Sequence, residues 1–104
     1  MDPEKKQRLQ AKGWKVGTAQ DFVDLSPEEA LLIDIKARLA VALTALRQKR
    51  KLTQTALAQR LASSQSRVAK MEAGDRSVSL ELLVRSLVSL GATRQELAEV
   101  IGRR

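Results

Sequence analysis

Cysteine, histidine and tyrosine are absent from these 104 residues, and tryptophan and phenylalanine occur once each. Without cysteine there is no disulfide framework and no thiolate centre; without histidine the commonest general base and most zinc ligand sets are missing too. The twelve Asp and Glu residues are scattered rather than gathered in a pattern that would hold magnesium. An enzyme is not expected, nor a cofactor, a metal or a small-molecule ligand. Apolar runs of the roughly 18–20 residues that cross a bilayer are also lacking, and the polar stretch Met1–Gln7 has no secretory core, so a cytoplasmic protein with no membrane partner is expected.

What is present is 43% hydrophobic residues, chiefly Leu, Ala and Val, which suit helices packed on helices better than strands. At this length one compact domain with an extension is expected. The formal charge is +7, and the excess belongs to the latter part: Met1–Leu25 holds five basic and four acidic residues, Ser26–Arg104 fourteen and eight. Such a surface attracts polyanions before any specific contact forms, which makes nucleic acid the leading partner class.

The pattern divides the chain into an N-terminal extension over 1–25 and a helical domain over 26–104. Up to about Lys15 the extension is too polar to offset its ordering entropy, and partial disorder is expected; Val16, Phe22, Val23 and Leu25 suggest a short helical turn. Ser26-Pro27-Glu28-Glu29 is a capping box with proline at the first helical position. The helix it opens should run to about Arg50, with Leu31/Leu32, Ile35, Leu39, Ala42/Leu43 and Leu46 on its apolar face. Thr53 caps a helix over Gln54–Leu61, and Ser64 caps a third through Glu72, with Gly74 in the left-handed position beyond it. Ser79 opens a fourth, carrying Leu80, Leu83, Leu87 and Leu90 and stopped by Gly91. Thr93-x-x-Glu96 boxes a fifth, with Leu97, Val100 and Ile101 on one face. The expected fold is all-α, a compact five-helix domain.

Two helices joined by a very short turn suit DNA, because the first can cross the backbone while the second lies in the major groove. Leu57, Leu61, Val68 and Met71 fill the angle between them, and Ala58 permits close approach. Gln65, Arg67 and Lys70 are then the readers, since Gln can bond adenine through two edges and Arg or Lys can bond guanine. Thr53, Gln54, Arg76, Ser77 and Ser79 flank helix ends, where side chains hold phosphates.

The run Leu52-Thr53-Gln54…Leu57-Ala58…Leu61, followed by Ser64-Gln65-Ser66-Arg67-Val68…Met71-Glu72-x-Gly74, resembles the Cro and phage-repressor-like (XRE) helix-turn-helix family. The resemblance covers roughly 39–97. It implies phosphate contact by Gln54, base contacts by Ser64, Gln65, Ser66 and Lys70, and a structural ion pair between Arg47 and Glu72. The chain departs from the pattern in the turn, where Ala62 and Ser63 stand in place of glycine and an apolar residue.

Ahead of the first helix, Val16…Asp21-Phe22-Val23-Asp24-Leu25-Ser26-Pro27 resembles the subset of this family found as antitoxins. The resemblance implies a repressor of its own operon that also covers a partner toxin with Asp21, Phe22, Asp24 and Leu25. An ordinary operon repressor without a toxin, and a helix-turn-helix protein-interaction module that has lost DNA binding, remain alternatives. Repressors of this geometry bind palindromic operators as twofold dimers; Leu97, Val100 and Ile101 are the candidate homodimer interface.

Overall fold

In the computed structural model the residues described are 25–102. Among them are five α-helices and no strand: α1 (Pro27–Lys49), α2 (Gln54–Arg60), α3 (Gln65–Glu72), α4 (Leu80–Ser89) and α5 (Arg94–Gly102). The chain divides into two compact units, Met1–Leu32 and Ile33–Arg104.

In the first unit, the described part is the start of α1. Ser26 Oγ accepts the Glu29 backbone N–H at 3.1 Å while Glu29 Oε1 accepts that of Ser26 at 3.0 Å, the reciprocal box anticipated from sequence. Leu31 and Leu32, however, are exposed, so the buried face of α1 does not begin there as its periodicity suggested. Periodicity records which residues share a face; whether that face is covered depends on what the rest of the chain places against it.

In the second unit, Leu39 and Leu43 of α1 join Leu57 and Ala58 of α2, Val68 and Met71 of α3, and Leu83 and Leu87 of α4 in one core. Val78 in the α3–α4 loop and Leu90 at the end of α4 complete it. Ile35, Ala42, Leu46, Leu97 and Val100 pack around it, half-buried.

Helix starts and stops follow from local chemistry. Thr53, Ser64, Ser79 and Thr93 each accept, through the side-chain oxygen, the N–H of the residue three positions on, at 3.0–3.2 Å. Each of α1 to α4 ends in a left-handed residue that turns the chain back, with the next N–H bonding the carbonyl five residues earlier: Leu52 to Arg47, Ser63 to Ala58, Asp75 to Lys70 and Ala92 to Leu87. Two of these left-handed residues are Gly74 and Gly91, both expected from sequence. The other two are Lys51 (φ 57°) and Ala62 (φ 55°). A side chain costs about 1–2 kcal/mol in that region, which the closing hydrogen bonds and the core on either side of the turn offset. The turn after α2 therefore closes with Ala62 in the left-handed position.

Candidate nucleic-acid interface

Of the helix pairs, α2 and α3 approach each other most extensively, joined by the turn at Leu61–Ser64. Leu57, Ala58, Val68 and Met71 are buried in the angle between them and Leu61 is half-buried at its edge, as the sequence led one to expect. With these apolar positions turned inward, Gln65, Ser66, Arg67 and Lys70 of α3 are all exposed, and so is the capping Ser64.

A chain of side-chain hydrogen bonds runs from the core to this surface. Arg47 grips Glu72 with two parallel bonds, Nε to Oε2 at 2.6 Å and Nη2 to Oε1 at 3.1 Å. Its third nitrogen, Nη1, donates to the Leu52 carbonyl at 2.7 Å, so one guanidinium ties α1 to α3 and to the α1–α2 loop. The pair is largely shielded from water, the side chains being 13% and 6% exposed. Gln54 Nε2 donates to the same Glu72 Oε1 at 3.1 Å, and Gln54 Oε1 accepts from Gln65 Nε2 at 2.7 Å.

This order of contacts sets the amide orientations. A carboxylate only accepts, so Gln54 must turn its amide nitrogen to Glu72 and its oxygen to Gln65, which must answer with nitrogen. One N–H of Gln65 is thereby used, leaving its oxygen and second N–H: one acceptor and one donor, the complement of the adenine N6 and N7 edge. Gln54 likewise retains one N–H beyond its bonds to Glu72 and Gln65.

Electrostatics favour the ionised carboxylate in this network. Burial pushes the Glu72 carboxyl upward, but the bonds from Arg47, Gln54 and Thr44 and the charge of Arg47 together outweigh it, leaving a pKa below that of an ordinary glutamate.

The flanking residues divide by what they already bond. Thr53, Ser64 and Ser79 use their oxygens as acceptors in capping, in which the hydroxyl proton takes no part. Ser64 Oγ also lies 3.3 Å from Ser66 Oγ. Ser77 donates both its N–H (2.8 Å) and its hydroxyl (2.6 Å) to Asp75 Oδ1, which lowers the pKa of the partly exposed Asp75. Its hydroxyl is thus spent on shaping the loop that displays the exposed Arg76. That loop is also held by Lys36 of α1, whose Nζ donates to the Arg76 carbonyl at 3.4 Å. Neither Lys36 nor Thr44 carries a motif signal; both meet the site only through tertiary packing. Of the segment read as partner-binding, Leu25 is partly exposed, while Asp21, Phe22 and Asp24 lie outside the described residues.

A short helix capped by serine, set on a second helix through a tight turn and presenting only polar side chains outward, defines a helix-turn-helix. The family model described as "Helix-turn-helix domain" matches residues 21–95, most of the chain, and the chain belongs to that family. No curated protein and no solved structure matches it.

Proposed function

We propose that this protein is a sequence-specific regulator of the XRE type that binds duplex DNA through α3 and represses transcription. The hydrogen-bonded series Arg47–Glu72–Gln54–Gln65 carries the reading: it holds a bidentate amide at the first turn of an otherwise polar recognition helix. Gln65, Arg67 and Lys70, with Ser64 and Ser66 beside them, read base edges. Thr53, Gln54, Ser79 and Arg76 hold the phosphates that fix the register, and Ser77 shapes the last contact by holding Asp75. The cationic surplus of Ser26–Arg104 supplies the salt-dependent part of affinity.

Binding to a duplex from upstream of its own gene and to a scrambled duplex, measured across a salt series, tests this. The native duplex is expected to bind at least tenfold more tightly, with both affinities falling as salt rises. Equal affinity for the two would overturn sequence-specific readout.

The antitoxin role is a finer reading, supported by the acidic–apolar run Asp21-Phe22-Val23-Asp24-Leu25, which suits a basic partner surface. Growth arrest caused by the product of the neighbouring reading frame should be relieved by the full chain and not by Phe22→Asp. Failure of the full chain to relieve it removes this role and leaves an operon repressor.

A further inference from the structure

The loop between α3 and α4 is anchored at both ends. The Asp75 N–H donates to the Lys70 carbonyl and the Val78 N–H to the Asp75 carbonyl, each at 3.1 Å, and the Val78 side chain is buried in the core. Between these anchors lies one peptide plane whose C=O belongs to Arg76 and whose N–H belongs to Ser77. Asp75 Oδ1 accepts that N–H at 2.8 Å, and Lys36 Nζ donates to that C=O at 3.4 Å from forty residues away. A planar peptide turns only about the two bonds that flank it. Held on both edges, this one sets ψ of Arg76 and φ of Ser77, and with them the direction in which Arg76 leaves the backbone. The Arg76 side chain is exposed, and among the described residues its guanidinium has no hydrogen-bond or ion-pair partner.

Helix α1 puts Lys36 in place. Lys36, Ala40, Leu43 and Arg47 follow at steps of four, three and four, so they share one face of the helix. Ala40 and Leu43 are buried and Lys36 is half-buried. At the far end of that face Arg47 Nη1 donates to the Leu52 carbonyl at 2.7 Å, just ahead of Thr53 and Gln54. Each end of the face thus gives a cation to a backbone carbonyl, in the two loops that flank the α2–α3 pair. The two cations stand about 16 Å apart along α1 at a helical rise of 1.5 Å per residue. We infer that Lys36 is a positioning residue for DNA binding, which aims Arg76 at a phosphate, so that α1 spaces the phosphate contacts on either side of α3. The inference rests on the regulator reading. Lys36 does not touch the duplex; its bond removes a backbone rotation that the loop would otherwise lose only on binding. A cation can do this without repelling the DNA.

Lys36→Met keeps the aliphatic stem and loses the donor, whereas Lys36→Arg keeps a donor. In the full chain without DNA, Lys36→Met is expected to lower the ¹⁵N order parameter of Ser77 from the rigid value of about 0.85 towards the flexible value of about 0.6, with an unchanged urea midpoint. On DNA at one salt concentration it should weaken the native and scrambled duplexes alike, by about fivefold, and Lys36→Arg should restore all but about twofold of that affinity. Lys49→Met, which removes the same charge from an exposed position of α1, should cost less than about twofold on either duplex. Added to Arg76→Ala, Lys36→Met should cost less than about a further twofold, because the one residue acts through the other. Full additivity there, with the salt slope falling by about one more, would make Lys36 a phosphate ligand in its own right and overturn the positioning role. Unchanged order at Ser77, or lost order with unchanged affinity, would overturn it too. The scrambled duplex separates this inference from the reading beneath it. If the wild type shows no preference for the native duplex but Lys36→Met still weakens both, sequence-specific readout fails and the positioning role stands. A wild type that binds neither duplex overturns both.

Discussion

Replacing Glu72 by alanine is expected to destabilise the domain by about 3 kcal/mol at neutral pH, measured by urea or guanidinium unfolding. Removing one partner of a buried ion pair strands the other, at a cost of about 3–5 kcal/mol. The lower end applies because Arg47 keeps its bond to the Leu52 carbonyl and retains some access to water. Against a total stability of about 5–15 kcal/mol for a domain of this kind, the loss brings unfolding within reach of modest heating. The charge, more than the shape, is what is stranded, so the paired substitution Arg47→Met with Glu72→Leu should cost less than either single change. A loss under about 1 kcal/mol in Glu72→Ala would mean that the pair is not structural, on the scale of ordinary surface substitutions.

The same pair sets a pH dependence. The native pKa of Glu72 is depressed, so the unfolded chain binds its proton first as pH falls. The stabilisation is complete above the unfolded value of about 4.3; it declines as pH drops below that and is gone once pH passes the native value.

The second large effect concerns recognition. Gln65→Ala should weaken binding to the native duplex by about 1–3 kcal/mol, five- to 150-fold, and leave binding to a scrambled duplex nearly unchanged. Gln54→Ala should weaken both duplexes through its phosphate contact, and should weaken the native one further because Gln65 loses the partner at 2.7 Å that orients its amide. The two residues act as one unit on the native duplex. The double variant is therefore expected to lose at least about 0.5 kcal/mol less than the sum of the singles. Strict additivity there would show that Gln54 does not position Gln65. Arg67→Ala, tested alongside, should resemble Gln65→Ala in losing native over scrambled binding.

What could be read along the chain was whatever depends on near neighbours. Each N-cap joins a hydroxyl to an N–H three residues on, and each glycine stop requires only its own φ, so Ser26, Thr53, Ser64, Ser79, Thr93, Gly74 and Gly91 announce their roles in order. The apolar faces of α2, α3 and α4 were legible for the same reason, since helical periodicity places their residues on one side. Spacing matched to a known pattern added the Arg47–Glu72 pair.

Tertiary structure decided the remainder. Lys51 and Ala62 are left-handed because the chain must turn there, although neither residue prefers it. Ser86 is fully buried in α4, its hydroxyl satisfied by the Leu82 carbonyl at 2.8 Å beside Met71 Sδ, a place no polarity pattern indicates. Val78 enters the core from a loop, and Leu31 and Leu32 stay exposed within an apolar pattern. The bond between Gln54 and Gln65 spans eleven residues and exists only because the turn sets α2 against α3. Local propensity and pattern are properties of a segment; burial and the direction of a shared hydrogen bond belong to pairs of segments, and become definite only when the helices close on one another.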